Sequence, residues 1–153
     1  MFNNIALGAS EYANILEESE MDAESAIYSS GIASHVPYLL DKVDTSWRRA
    51  FANGWDGLHS YSISYSTKIN AELFVKNFPF SLPNQPVVAP DSDGCISFEW
   101  EKANESFTVL IKECRIVYSA FLTNDERRKA SLPFKNEISK ELISLINYFG
   151  QSS

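Results

Sequence analysis

A strict alternation of apolar and polar residues follows Asp93-Gly94 in the amino-acid sequence. Ile96, Phe98 and Trp100 stand at every second position, and small or charged residues separate them. Because the side chains of a strand point alternately to its two faces, this pattern predicts a strand with one buried and one wet face. Two more alternating segments place further residues on the buried face: Phe107, Val109, Ile111, Ile116, Tyr118, Ala120 and Leu122. Three consecutive strands with short links predict an antiparallel meander.

The N-terminal region has helical spacing. Asn3 or Asn4 is expected to cap a helix that extends to about Ser19, whose apolar side comprises Ile5, Tyr12, Ile15 and Leu16. Gly31 is expected to end a second, shorter helix. Together these two segments predict an N-terminal helical hairpin.

Further helical segments are predicted between Pro37 and Phe78. Pro37 suits the first turn of a helix. A separate short helix that ends at Gly54 is expected to be capped by one of the polar residues Asp44, Thr45 and Ser46. Ser64 or Ser66 is expected to begin the next helix, which continues to about Phe78 with an apolar stripe of Ile69, Leu73, Phe74 and Phe78.

The segments that flank the strands are predicted to be irregular up to the last helix. A proline ring fixes φ and removes a backbone donor, so an extended surface connection is expected to contain Pro79, Pro83, Pro86 and Pro90. The basic run Arg127-Arg128-Lys129 follows two acids and is expected to form a mixed-charge loop. Asn136 is expected to cap a C-terminal helix with Ile138, Leu142, Leu145, Ile146 and Phe149 on its apolar face.

Helices first, strands next and one last helix indicate the α+β class. The expected architecture is a small antiparallel meander of three strands, or slightly more, packed against helices, with an N-terminal helical hairpin and a C-terminal helix. A chain of 153 residues corresponds to a single domain. We divide it into a helical acidic part, residues 1–54, and an α+β core, residues 55–153.

Acidic residues are concentrated near the N-terminus. Residues 1–41 contain seven acids and no Lys or Arg, whereas Lys42 to Ser153 contain 13 acids and 13 bases. Such a surface either aids solubility or steers a basic partner, and five of these acids are the candidate partner-binding residues: Glu17, Glu18, Glu20, Asp22 and Glu24. The net charge of −7 disfavours direct binding to nucleic acid, which depends on clustered cations.

The compartment is suggested by what the composition lacks. The sequence has only 2 Cys, which argues against a disulfide-stabilised secreted scaffold. No apolar run approaches the ~20 residues that span a bilayer, and the N-terminus lacks a signal-peptide pattern. We therefore expect a cytoplasmic protein with two free thiols and no membrane contact.

Candidate catalytic chemistry is limited to one pair of residues. Asp56 and His59 could form a general base with its orienting carboxylate in a hydrolase or a transferase, with Asp91 or Asp93 as a further carboxylate. Turn formation around Gly57 explains Asp56 equally well. No nucleotide-binding, hydrolase or metalloprotease fingerprint occurs, and the Cys and His residues lack the spacing of a zinc site. We expect no cofactor and no metal.

Two motifs and the segment between them resemble a known group of proteins. The chain contains Trp55-Asp56-Gly57, then a helix with Phe74 and Phe78, then Pro86-x-x-x-Pro90-x-x-Asp93-Gly94-x-Ile96-x-x-Glu99-Trp100. This arrangement is similar to short bacterial proteins with a W-D-G motif, a proline-rich link and a D-G-x-I-x-x-E-W strand. Some of those proteins accompany mobile or defence-related genes. The similarity covers about residues 55 to 122.

The hypothesis that best fits these observations is a protein-binding regulator. It would be a small inhibitor of the antitoxin, immunity or phage-encoded anti-defence type, with another protein of basic surface as its partner. The alternative is the hydrolase or transferase that uses Asp56 and His59. Self-association is a third possibility.

Overall fold

In the part of the chain that the structure describes, five antiparallel strands form one sheet and three helices accompany it. The computed structural model describes residues 35–77, 82–135 and 139–151. Along the chain the elements are α1 (His35–Arg49), α2 (Tyr65–Asn77), β1 (Val87–Asp91), β2 (Cys95–Lys102), β3 (Glu105–Ile111), β4 (Arg115–Phe121), β5 (Arg127–Pro133) and α3 (Lys140–Gly150). The strands are ordered β1-β2-β3-β4-β5. The predicted α+β class and antiparallel meander are confirmed, and the predicted N-terminal hairpin lies outside the described residues.

The predicted apolar face of the three central strands is confirmed, but the wet face expected for β2 is exposed only at Glu99 and Glu101, because Cys95 and Ser97 are buried as well. Trp100 lies opposite Phe107, and Phe107 lies opposite Ala120. The next two rows of this face are also buried, and they comprise Phe98, Val109 and Tyr118, then Ile96, Ile111 and Ile116. Phe107 stacks on Trp100 at a centroid distance of 5.1 Å and on Phe149 of α3 at 5.3 Å. Aromatic stacking therefore joins β2, β3 and the C-terminal helix.

All three helices contribute to the core that covers this sheet face. The cluster of buried apolar residues that includes the strand positions also contains Leu39 and Val43 of α1, Ala71 and Phe74 of α2, and Leu142, Leu145, Ile146 and Phe149 of α3. Phe74 packs on Phe98 at a centroid distance of 4.8 Å. Residues 35–49, although assigned to the acidic part by sequence, thus share a core with the sheet.

The two edge strands differ from the sequence-based expectation. The stretch containing Pro90 is extended as predicted, but residues 87–91 pair with β2 instead of crossing the surface alone. Proline is tolerated there because an edge strand needs only one side of its backbone for pairing. The predicted loop at Arg127-Arg128-Lys129 was wrong, since these residues begin β5. Its only inward apolar residues are Ala130 and Leu132, so the alternation is weak.

The first helix continues through the position where a break was expected. Ser46 is buried, and its hydroxyl donates to the carbonyl oxygen of Lys42 at 2.8 Å. A serine whose hydroxyl donates to the carbonyl oxygen four residues earlier lies within a continuous helix and does not cap a new one. The separate short helix predicted to end at Gly54 therefore does not exist, because α1 is continuous to Arg49.

Serine residues begin the other two helices. Ser64 accepts the backbone N–H of Thr67 at 3.2 Å and caps α2, as one of the two predicted alternatives. The buried side of α2 is rotated from the predicted stripe: Thr67, Ala71, Leu73, Phe74 and Val75 are buried, whereas Ile69 is half-buried. Ser139, not Asn136, caps α3 and accepts from Leu142 at 3.1 Å. Phe78, Asn136 and Ile138 lie outside the described residues.

A buried carboxylate fastens α3 to the end of the sheet. Glu105 of β3 accepts the backbone N–H of Thr123 at 3.0 Å and the hydroxyl of Tyr148. The hydrogen bond from Tyr148, aided by that from Thr123, holds the pKa of Glu105 below its usual value. Lys102 lies over the Tyr148 ring, with its Nζ 4.4 Å from the centroid. The sequence analysis did not identify Glu105 or Tyr148 as a candidate functional residue.

Replacement of Trp100 by alanine tests the face assignment of the central strand. Trp100 is 2% exposed, so Trp100→Ala is expected to lower the free energy of unfolding by about 3–5 kcal/mol in urea titrations, because it removes a large buried ring. Glu101→Ala, at the adjacent exposed position, serves as the control and is expected to change stability by less than ~0.5 kcal/mol. Equal losses for the two variants would contradict the face assignment.

Candidate interaction surface

An exposed aromatic cluster lies where α1 ends and α2 begins. We call Trp47, Phe51 and Tyr65 the aromatic patch. The Trp47 ring meets those of Phe51 and Tyr65 edge-on, each at a centroid distance of 5.7 Å. Phe51 is 68% exposed and Tyr65 is 59% exposed. Leu58 and Tyr61, which are also exposed, belong to the loop between the two helices. Large exposed apolar side chains are thus concentrated in one short stretch of the described chain.

An ion cluster beneath the patch joins α1 to α2. The Lys68 Nζ lies 3.2 Å from an Asp44 carboxylate oxygen and 3.4 Å from one of Glu72. The same nitrogen lies 4.8 Å from the Trp47 ring centroid and 5.5 Å from that of Tyr65. A largely buried cation therefore fixes both rings through their π faces, which attract positive charge.

Burial and neighbouring charges of opposite sign have opposite effects on the pKa values of Lys68 and Glu72. Burial disfavours the charge on Lys68, but Glu72 and Asp44 outweigh it, so the pKa of Lys68 is raised. Burial, together with the nearby Asp44 carboxylate, raises the pKa of Glu72, although Lys68 acts in the opposite direction. Glu72 consequently depends on its lysine partner to remain a stable carboxylate inside the helix layer.

The connecting loop, residues 50–64, is closed by its own backbone. The N–H of Ile63 donates to the carbonyl oxygen of Ala50 at 2.9 Å, and Gly54 donates to Ser60 at 2.7 Å. Trp55 donates through its indole Nε1 to the carbonyl oxygen of Tyr61 at 3.0 Å. A loop of this length with adjacent ends and internal packing is an Ω-loop. Its exposed side chains are therefore held on an ordered frame.

The same loop is attached to the sheet at the turn between β1 and β2. Tyr61 donates its N–H to the carbonyl oxygen of Ser92 at 2.8 Å. Gly94 has a φ of +81°, and a Cβ there would lie 3.1 Å from the carbonyl oxygen of Ser62. Glycine is needed at this position both for its backbone conformation and for the close approach of the loop.

The structure uses Asp56 to build a turn. Its carboxylate accepts the backbone N–H of Leu58 at 2.9 Å, and the Asp56 N–H donates to the Ser60 hydroxyl. Hydrogen bonding by Ser60 and by the Leu58 N–H lowers the pKa of Asp56 from its usual value. His59 is exposed, and the structure gives it no hydrogen bond to Asp56. The pair considered for catalysis is therefore not assembled into a base and its orienting acid.

A shallow cavity adjoins the loop but does not gather the candidate catalytic residues. Its volume is about 240 Å³, and it is lined by Tyr61, Ser62, Ser64, Thr67, Asp93, Gly94, Lys112 and Glu113. Of the residues considered for the enzyme alternative, Asp93 alone lines it. Asp91 instead accepts the N–H of Asp93 through its carboxylate at 3.0 Å, as expected for a turn.

The remaining candidates are dispersed or lie elsewhere. Cys95, at the start of β2, is buried, Cys114 is exposed between β3 and β4, and both are free thiols. Within the described ranges, no three His, Cys, Asp or Glu side chains are grouped so that they could hold a metal ion. The candidate partner-binding acids Glu17, Glu18, Glu20, Asp22 and Glu24 lie outside the described residues.

Comparisons with known proteins give no relative for this chain. No family model, no curated protein and no solved structure matches it. In the part of the chain that the structure describes, no helix is long and apolar enough to cross a membrane. Functional inference therefore depends on the geometry of the chain itself.

The aromatic patch could not be read from the sequence alone. The short helix that was expected to end at Gly54 was expected to contain Trp47 and Phe51, and Tyr65 was not singled out. Because α1 ends at Arg49, Phe51 lies beyond the helix and faces solvent. Glycine, serine and histidine surround the exposed Leu58 and Tyr61, and such polar, flexible neighbours were the available signal.

Removal of Lys68 is expected to destabilise the helix layer. Lys68→Met leaves the Glu72 carboxylate, whose side chain is only 19% exposed, without its cation. We expect a loss of about 1–2 kcal/mol in the free energy of unfolding at neutral pH, measured by urea titration. Arg48→Met is the control, because the Arg48 side chain is 74% exposed and its ion pair with Asp44 should contribute less than ~0.5 kcal/mol. Addition of Glu72→Gln to Lys68→Met should restore part of the loss.

Asp56 is expected to make stability depend on pH. Since the folded-state pKa is depressed, the stabilisation is present above the unfolded pKa of about 4 and is lost as the pH falls through the folded value. Asp56→Asn should therefore melt at a lower temperature than wild type at pH 7, and the two melting temperatures should converge below about pH 4. Asp56→Ala also loses the acceptor and should be less stable at every pH. A constant difference between wild type and Asp56→Asn would contradict this role.

Proposed function

We propose that this protein is a small cytoplasmic regulator or inhibitor that acts by binding another protein, of the antitoxin, immunity or phage-encoded anti-defence type. The observation that supports this proposal is the aromatic patch on its ordered frame. Trp and Tyr are enriched among residues that contribute most to protein interfaces, because large rigid rings bury much area at a small entropic cost. Three such rings in contact, two of them more than half exposed, form a surface suited to a partner pocket.

Preorganisation is the second support. The backbone hydrogen bonds of the connecting loop and the Lys68 cluster hold these side chains before any partner arrives. Ordering flexible groups at an interface costs about 0.5–1.5 kcal/mol per side chain, so a prearranged patch binds more tightly than a flexible one of equal area.

The acidic N-terminal residues have a separate part in the proposal. Glu17, Glu18, Glu20, Asp22 and Glu24, on the expected helical hairpin, would attract a partner with a basic surface and accelerate the encounter. The aromatic patch would then provide the short-range contact. Charge thus governs the association rate, whereas the apolar rings govern the lifetime of the complex.

Substitution of the patch tests the proposal. Affinity purification from the native cytoplasm, with quantification of co-purifying proteins, should recover one protein in proportion to the wild-type bait. Phe51→Ser combined with Tyr65→Ser should reduce that recovery at least about tenfold, since loss of hot-spot rings typically costs ~2 kcal/mol or more. Both side chains are exposed, so the melting temperature should change little.

Tyr38→Ser is the matched control for this experiment. Tyr38 is 53% exposed and lies on the same helix as Trp47, about two and a half turns earlier. The Tyr38→Ser variant should recover as much of the partner as wild type does. Equal recovery with the patch variant and with wild type would refute the patch as the interface, and hydrolytic turnover abolished by His59→Gln would favour the enzyme alternative.

A further inference from the structure

The sheet face that points away from the helices carries a graded charge. Across the strands, Glu99 of β2 lies opposite Thr108 of β3, which lies opposite Ser119 of β4, which lies opposite Lys129 of β5. The next row repeats this order with Glu101, Ser106, Phe121 and Arg127. From β2 to β5, both rows therefore lead from an acid through hydroxyl-bearing or aromatic side chains to a base, and in the first row the exposed Val87 of the edge strand β1 lies beyond Glu99. We call these two rows the outer sheet face.

This face is open in the described part of the chain. Glu99, Glu101, Arg127 and Lys129 are all exposed, as are Ser106 and Ser119. The described helices contribute to a core built from the opposite set of strand positions. Cys95 and Ser97, which share the outer side near the β1–β2 turn, are buried. In the row of Ser97, Leu110 and Val117 are half-buried and Ser131 is exposed, so the open region comprises the two charged rows and the β3–β5 part of this third row.

The two sheet edges are poorly suited to pairing with another strand. Pro90 in β1 lacks a backbone donor. Arg127 and Lys129 place like charges along β5, and charged edge residues discourage strand addition. A partner of this sheet would therefore contact its face and not its edges.

We propose that the outer sheet face binds a second copy of this chain. The occupant is indicated by the charge order, which is complementary to itself. A two-fold axis parallel to the strands, above the β3–β4 pair, exchanges the acidic and basic ends of each row without shifting the rows. Glu99 then faces Lys129 of the other copy, and Glu101 faces Arg127 of the other copy. The symmetry generates each of these pairs twice.

The dimensions of the sheet permit these contacts. Strands β2 and β5 are three strand spacings apart, about 14 Å, so acid and base on one copy are too far apart to pair with each other. Sheets that pack face to face lie about 10 Å apart, a distance that extended glutamate and lysine side chains can bridge together. The four charges are thus available for contacts between copies.

The expected dimer is weak and sensitive to salt. Four strands of about seven residues would provide at most roughly 450 Å² per copy, which is well below the roughly 800 Å² per partner of a standard interface and belongs to the range of weak, transient contacts. Ion pairs at the margin of such a contact determine its register more than its affinity, and salt screens them over about 8 Å. This proposal does not depend on the aromatic patch or on the function proposed above.

Sedimentation velocity over a range of protein concentrations tests the proposal. Wild type should shift from monomer to dimer between about 1 µM and 1 mM, with a dissociation constant that rises as salt is added. Glu99→Lys with Glu101→Lys makes the face uniformly basic, and Arg127→Glu with Lys129→Glu makes it uniformly acidic. Each double variant alone should have a dissociation constant at least about tenfold higher than wild type.

An equimolar mixture of the two double variants supplies the decisive measurement. The basic face of one is complementary to the acidic face of the other, so the mixture should form a heterodimer at concentrations where each variant is a monomer. Recovery of binding in the mixture also shows that both variants are folded. Asp41→Lys with Glu113→Lys is the control, because it changes the net charge by the same amount at exposed positions on α1 and beyond β3. This control should dimerise like wild type.

Three outcomes would overturn the proposal. Wild type that remains monomeric at every concentration excludes a dimer through this face. A dimer that both double variants retain must use another surface. Variants that lose self-association but do not associate in the mixture exclude the complementary register.

Discussion

Burial of one face of a five-stranded sheet is the constraint on which the rest of this structure depends. Phe107 shows it most clearly, because its ring stacks on Trp100 of the neighbouring strand and on Phe149 of α3, and it meets Tyr118 edge-on. A shift of one residue in the β2–β3 register would bring Glu99 or Glu101 into this core. The aromatic contacts therefore fix the register, and the register places the charges of the opposite face in ordered rows.

The same constraint accounts for the position of the aromatic patch. α1 and α2 must both cover the sheet, so the loop between them has to reverse the chain in a small space. Internal hydrogen bonds satisfy its backbone, while Ala50, Ser60 and Ile63 are buried beneath it. Trp55 is half-buried against the core, and most of the other side chains of the loop project outward. Exposure of Phe51, Leu58 and Tyr61 is thus a consequence of how the loop closes.

The central strands and the existence of the helices could be predicted because their signals are strong and local. β2, β3 and β4 have apolar residues at every second position, and Ser64 precedes a helix that it caps. The edge strands could not be predicted in the same way. β1 contains Pro90 and β5 begins with three basic residues, so their pairing is decided by the neighbouring strand and not by their own composition.

The candidate sites were harder to predict than the fold, for a physical reason. Asp56 lies three residues before His59 in the sequence, a spacing that suggested catalysis, but in the structure its carboxylate accepts the Leu58 backbone N–H in a local turn. Glu105 and Tyr148 are 43 residues apart and meet only because α3 lies across the end of the sheet. The charge gradient of the outer sheet face likewise exists only once four strands are in register. No single segment of sequence contains it.

The two proposed surfaces belong to opposite sides of the sheet, and this separation has a consequence for binding. The aromatic patch is part of the helix layer, whereas the second copy would occupy the outer face. A dimer formed through that face would carry two aromatic patches directed away from its centre. If the partner were itself oligomeric or arrayed, the second contact would be intramolecular, and overall affinity could exceed that of one patch by about 10²–10⁴ when the spacing matches. Because the proposed dimer is weak, this gain would depend on protein concentration, so occupancy of the partner would rise more steeply with the amount of this protein than it would for a monomer.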